Sequence, residues 1–178
     1  MTCMNLKMTS GALGILGAVC LLLVQFLSWG GVAQEGGSAF GFSFPDSEVD
    51  AHTWNLKARS GGDEHSESWY SDDLEDDDEE TAGLTQVRIA VPFLLGGLIV
   101  AGLGAVLALA ARGGAGAMVL LSGGILAAIG TTMFIIGIGQ MFDGEQDWAA
   151  SYYLAIVGCV LAVLGGVLGI VGQNRRAA

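Results

Sequence analysis

Residues 89–141 read IAVPFLLGGLIVAGLGAVLALAARGGAGAMVLLSGGILAAIGTTMFIIGIGQM, and this stretch decides the fold. It carries a single charge, Arg112. The link Arg112-Gly113-Gly114-Ala115 divides it into two apolar segments, 89–111 and 116–141. Each exceeds the ~20 residues a helix needs to cross roughly 30 Å of hydrocarbon. A link this tight makes the two helices antiparallel neighbours. Pro92 falls in the first turn of its segment, where a missing N–H costs little.

Working outward, 11–31 and 150–172 are also long, apolar and free of Asp, Glu, Lys, Arg and His. Gln25 is the one strongly polar side chain well inside a span. The composition agrees. Hydrophobic residues make up 52% of the 178 and charged residues 14%, against about 25% charged in soluble domains. So much apolar surface calls for a bilayer as solvent. Gly accounts for 29 residues, about twice its usual share. It sits inside the apolar runs, where it lets helices approach. The expected fold is an all-α membrane protein: a four-transmembrane-helix bundle with a small antiparallel β domain in the loop between helices 1 and 2.

Charge placement orients the chain. Lys7, Arg112, Arg175 and Arg176 lie in the N-terminus (1–10), the 112–115 link and the C-terminus (173–178), none of which holds an acid. All 18 acids fall in the long loop (32–87) and the short turn (142–149). The positive-inside rule puts both termini in the cytoplasm and both acidic segments outside, at the cell membrane. Lys7, an apolar run and Gly31-Val32-Ala33 also read as a signal peptide, but the run exceeds the usual 7–15 residues. An uncleaved first helix is the expectation, and the loop is outside either way. Cys20 and Cys159 lie in apolar runs and Cys3 near the N-terminus, so the loop has no disulfide framework.

The long loop has texture. Phe40, Phe42 and Phe44 alternate with small residues, as in a strand. His52, Trp54 and Leu56 alternate with Thr53, Asn55 and Lys57, a second strand pattern. Ser60-Gly61-Gly62-Asp63 signals a turn. Ser68-Trp69-Tyr70 and Leu84–Val87 read as third and fourth strands. Between these lies the acidic run Asp72, Asp73, Leu74, Glu75, Asp76, Asp77, Asp78, Glu79, Glu80, which repels itself and is expected to be a mobile insert.

Few residues suggest chemistry. The carboxylates of 72–80 are the one candidate group for divalent cations such as Ca²⁺, though no EF-hand spacing accompanies them. Asp143, Glu145 and Asp147 start like a calcium loop, but the twelfth position is Leu154. His52 and His65 are the only histidines and lack the further ligands a metal site needs. No cofactor motif is present, and a net charge of −11 disfavours nucleic acid. Trp29, Trp148, Tyr152 and Tyr153 at outer helix ends read as an interfacial aromatic belt. Trp54 and Trp69 read as the core of the small sheet or as partner contacts. Small residues recur at helix-packing spacing: Gly11, Gly14 and Gly17; Gly123 and Ala127; Gly158, Ala162 and Gly166. No ionisable residue lies within a span, which weighs against a transporter or pore; a self-assembled channel would place Gln25 with Thr131 or Thr132 around its pore.

The long first outer loop with strand patterns, tight inner link, short second outer loop and cytoplasmic termini resemble the claudin and peripheral-myelin-protein tetraspan group. In that group a four-helix bundle carries a small outer sheet, and members act in cell contact, paracellular barriers or as accessory subunits. The likeness covers the whole chain at the level of topology. The group's Gly-Leu-Trp signature followed by two cysteines is absent: Trp54 and Trp69 lack a flanking Gly-Leu, and the loop has no Cys. No functional residue is carried over. Tetraspanins fit worse, because their large loop lies between helices 3 and 4. The expected function is a non-enzymatic membrane scaffold or adhesion protein whose acidic outer domain meets a partner protein, another copy or cations. The alternative is an accessory subunit of a larger membrane enzyme or transporter.

Overall fold

A computed structural model describes residues 3–34, 37–39, 42–44, 46–71, 81–110, 114–142 and 146–177. In chain order they form α1 (Cys3–Val24), β1 (Ser28–Gln34), β2 (Gly37–Ala39), β3 (Phe42–Phe44), β4 (Ser47–His52), β5 (Asn55–Ser60), β6 (Asp63–Ser68), α2 (Thr81–Ala110), α3 (Ala115–Met141), β7 (Asp147–Trp148) and α4 (Ala150–Ala177). The fold is thus four helices and a small antiparallel sheet. Ala82–Ala110, Ala115–Met141 and Ala150–Asn174 are long and apolar enough to cross a membrane, which fits a membrane protein. The apolar part of α1, Met8–Val24, is shorter.

The helices are packed inside out relative to a soluble protein. Small residues meet in the interior and large apolar ones face outward. Along α2, Gly83, Val87, Ala90, Leu94, Gly97, Ala101, Gly104 and Ala108 are buried, in alternating steps of four and three. Along α3, Gly116, Leu120, Gly123, Ala127, Gly130, Phe134 and Gly137 repeat the pattern. This seven-residue period is the one that keeps two helices in register as a left-handed pair. The contacts run antiparallel: Gly83 meets Gly137, Leu94 meets Gly130, Gly97 meets Ala127, Ala101 meets Gly123, Gly104 meets Leu120 and Ala108 meets Gly116. At most of these layers one partner is Gly, and the backbone of the other helix occupies the space its Cβ would take. Meanwhile Ile99, Leu103 and Val106 on the outer face of α2 are about 60% exposed (60%, 58% and 59%).

A second antiparallel seam joins α1 to α4. Gly17 lies against Gly158 and Ala162, and Gly165 against Ser10 and Gly14. The buried Ser10 hydroxyl donates to the Gly165 carbonyl at 2.6 Å, an interhelical bond between two helices too close for larger side chains. Gly14 and Gly124 bring the two pairs together, the first against Ala105 and Leu120, the second against Ala162 and Val163.

The sheet has the order β6-β5-β4-β1-β7, with all neighbours antiparallel. β2 and β3 form a separate hairpin between β1 and β4. Gly61 and Gly62, with φ of 59° and 97°, make the two-residue turn from β5 to β6. Positive φ at both positions matches the twist of the flanking strands and selects Gly.

Five sequence expectations need correction. The first helix does not run over 11–31: it ends at Val24, and a tight turn follows, with Gln25, Phe26 and Leu27 donating to the carbonyls of Leu22, Leu23 and Val24. Ser28–Gln34 is then a strand, which the uncharged run through Gly31 concealed. The alternation over 52–57 is not one strand. β4 ends at His52 and β5 starts at Asn55, with Thr53-Trp54 as the turn between them. Leu84–Val87 is helical, because α2 begins at Thr81, which also puts Pro92 inside the helix rather than in its first turn, and Leu84, Val87 and Val91 share the buried face at helical spacing. Ser68 closes β6 rather than opening a strand. Phe40, the 72–80 run, Arg112, Asp143 and Glu145 lie outside the described residues.

The seam makes a sharp prediction. Gly123→Ala sets a methyl group against the Ala101 backbone, so unfolding in detergent should show a loss of about 1–3 kcal/mol. Gly96, with open space where its Cβ would lie, is the control. Gly96→Ala should leave stability unchanged or raise it by about 0.5–1 kcal/mol. Equal effects at the two positions would refute the seam.

Candidate functional site

The sheet is seated on the helices through aromatic rings. Trp29 follows the turn after α1, Trp69 follows β6, and Phe134 is a seam residue of α3; all three are fully buried. The Trp29 and Phe134 ring centroids are 4.7 Å apart, and Trp69 meets Phe134 edge-on at 6.2 Å. Val24, Ala51, Leu84, Val87, Ala90, Val91, Leu94, Ile138 and Ala155 complete the cluster. Buried indoles need partners for their N–H groups. Trp29 Nε1 donates to Thr53 Oγ1 at 2.9 Å, and Trp69 Nε1 donates to the His52 carbonyl at 2.8 Å. The β4–β5 turn is therefore fixed by both tryptophans.

Polar ties secure the rim. Arg88 on α2 donates to the carbonyls of Trp69 and Ser71, and the Tyr70 hydroxyl donates to the Arg88 carbonyl at 2.9 Å. On the opposite side the Ser151 hydroxyl donates to the Ser28 carbonyl, and the Ala149 N–H to the Trp29 carbonyl at 3.0 Å. These bonds bind the starts of α2 and α4 to the sheet.

The sheet's open face is charged. In the ladder, Glu48 pairs with Arg59 and Arg59 with Glu64, while Gly31, Asp50 and Lys57 form the adjacent row. Arg59 lies 3.7 Å from Glu48 and 3.3 Å from Glu64, and Lys57 lies 3.6 Å from Glu64. These pairs are exposed or half-exposed and each contributes at most about 1 kcal/mol. Asp147 on β7 also pairs with Gly31 from the other side. A shallow concavity of about 290 Å³ lies there, bounded by Gly31, Glu48, Asp50, Asp147 and Trp148 among others.

The residues singled out from sequence separate here. Trp69 is fully buried, so it is a joint residue and not a partner contact, while Trp54 is 49% exposed at the turn tip. Trp29 belongs to the core and not to a surface belt. Trp148, Tyr152 and Tyr153 lie together, Trp148 tilted against Tyr152 at 4.8 Å and Tyr152 edge-on to Tyr153 at 4.9 Å between centroids. Gly17 is brought to Gly158 and Ala162, and Gly123 to Ala101. Ala127 meets Gly97, Gly166 meets Leu121 on α3, and Gly11 meets Leu109 on α2. Among the described residues, no three His, Cys, Asp or Glu side chains gather as metal ligands. His65 instead pairs with Glu67 at 2.8 Å. Gln25, in the turn after α1, donates to the Leu21 carbonyl, Thr132 bonds the Ala128 carbonyl within α3, and Thr131 contacts Cys159 Sγ on α4 at 3.5 Å.

The joint role of Trp29 and Arg88 escaped sequence reasoning. Arg88 carried a usable signal: it is the one base directly before the apolar run that starts at Ile89. In comparisons with known proteins, no family model matches the chain and no curated protein matches it significantly.

Two predictions follow from the joint. Thr53→Val keeps the shape but leaves the buried Trp29 N–H unpaired, and should lower stability by about 1–3 kcal/mol in thermal melts followed by near-ultraviolet dichroism. Burial, together with the nearby Lys57 and Arg59 charges, pushes the His52 imidazole below its ordinary value of 6.5, against the smaller opposing pull of Asp50 and Glu64. The unfolded chain then binds the proton more readily, so stability should decline as pH falls below about 6.5. His52→Gln should flatten that decline.

Proposed function

We propose that this chain is an integral protein of the cell membrane with four spans, which presents its acidic sheet domain on the outside as a non-enzymatic scaffold or adhesion module. The observation that carries the reading is the packing of the helices, with Gly and Ala at most of the close backbone contacts and many large Leu, Ile and Val side chains on the outward faces. Water would penalise such a surface, whereas lipid tails match it. α1 is the fourth span. Its Gly14–Gly17 face is buried against its neighbours while Leu16, Leu22 and Leu23 are about half exposed (52%, 48% and 50%). The separation of bases from acids supports cytoplasmic termini and an outer sheet. Four helices carrying a small sheet also support the likeness to the claudin and peripheral-myelin-protein group.

The outer domain then meets a partner protein, another copy or cations, through the acids of the sheet face and of 72–80. A second reading, an accessory subunit, draws on one feature: an apolar groove of about 250 Å³ between α1 and α2, lined by Ile15, Val19, Leu22, Leu98, Gly102 and Val106 among others. A foreign helix fits such a groove as readily as lipid does.

Two experiments test these readings. The chain has only two lysines, Lys7 and Lys57. A membrane-impermeant amine reagent on intact cells should modify Lys57 and spare Lys7; the reverse pattern would refute the orientation. Native mass spectrometry from the source membranes in mild detergent should give a monomer or homo-oligomer. Stable unrelated subunits would favour the accessory reading.

A further inference from the structure

We infer that the bilayer interface extends past the end of α1 to the β4–β5 turn, with Trp54 seated at lipid headgroup level beside Phe26 and Leu27. The inference rests on the membrane reading and adds a lipid contact for the sheet itself.

The sequence of the turn is the first observation. Turn tips favour Gly, Asn, Asp and Pro, yet Thr53-Trp54 puts the largest side chain at the tip, and Trp54 is 49% exposed. Residues 51–56 carry no carboxylate, in a loop otherwise crowded with them. The register is the second. Ser28 faces His52 across the β1–β4 ladder, and Thr53 accepts from Trp29, so the turn lies beside the chain as it leaves α1. Phe26 and Leu27, immediately before Ser28, are 75% and 45% exposed. They continue the outward apolar face of α1 through Val19, Leu22 and Leu23.

Length supplies an independent argument for lipid as the occupant. From Lys7 to Val24, α1 provides about 26 Å of rise, short of the roughly 30 Å of hydrocarbon. The apolar stretches of α2 and α3, at 29 and 27 residues, exceed that thickness. Hydrocarbon beside α1 therefore reaches Phe26 and Leu27, and the headgroup zone falls at Trp54. Indole favours that zone, because its ring is apolar and its N–H is wet.

The test uses the full chain in phosphatidylcholine vesicles with brominated acyl chains, which quench tryptophans at the lipid boundary. Trp29 and Trp69 are enclosed by protein and should be spared. With Trp148, the other incompletely buried indole, replaced by Phe throughout, Trp54→Phe should abolish most of the bromolipid quenching, and Phe26→Trp in that background should restore it. Quenching unchanged by Trp54→Phe, or a Trp54 signal removed only by aqueous acrylamide, would overturn the inference. Shielding of Trp54 from both quenchers would assign the patch to a protein contact and overturn it equally. Failure of the protein to float with the vesicles would instead refute the membrane reading.

Discussion

Between apolar helices in an apolar solvent there is no hydrophobic gain from association, so they hold together only as closely as their backbones can approach. In α2 and α3 that approach is set by a glycine or alanine at nearly every seam position. Dispersion accumulates over that continuous contact. The same rule governs α1 against α4, where the seam admits one hydroxyl, that of Ser10, because it bonds directly to the facing carbonyl. Outside the seams many positions carry large apolar side chains, such as Ile99, Leu103 and Val106.

Near the sheet the seam takes in one aromatic. Phe134 stands between the layers of Gly130 and Gly137, and its ring packs against Trp29 and Trp69. Around that one aromatic of α3 the glycine-rich helix contact gives way to a core of buried rings and satisfied indole N–H groups. The sheet inherits its position from that core. The arginine at the start of α2 and the serine at the start of α4 then hold its two sides.

The long apolar helices were legible because an uninterrupted apolar run has one stable form when it must satisfy its own backbone. The glycine spacing was legible for the same reason. What misled was continuity: Ser28-Trp29-Gly30-Gly31-Val32 is as uncharged as the helix before it, so nothing local marks the change from helix to strand. The alternation over His52–Lys57 misled differently, because a hairpin with a two-residue turn preserves a period of two on both sides. Leu84–Val87 is too short a window to separate the two periods. Of the candidate site residues, the two loop tryptophans could not be distinguished by composition. Only the tertiary setting buries Trp69 and leaves Trp54 at a turn tip.

The shortest strand has the longest reach. β7 contributes two residues, yet it pairs Gly30 with Trp148, two positions separated by most of the chain. Closing so long a loop brings a large entropic term for very few bonds, so β7 gains its stability from the packed helices rather than from its own pairing. During synthesis the first four strands of the sheet emerge before α3 exists, and the edge of β1 remains open until the start of α4 arrives. The last strand of the sheet thus follows three of the four helices in the chain, and the edge of β1 is covered only once they have been made.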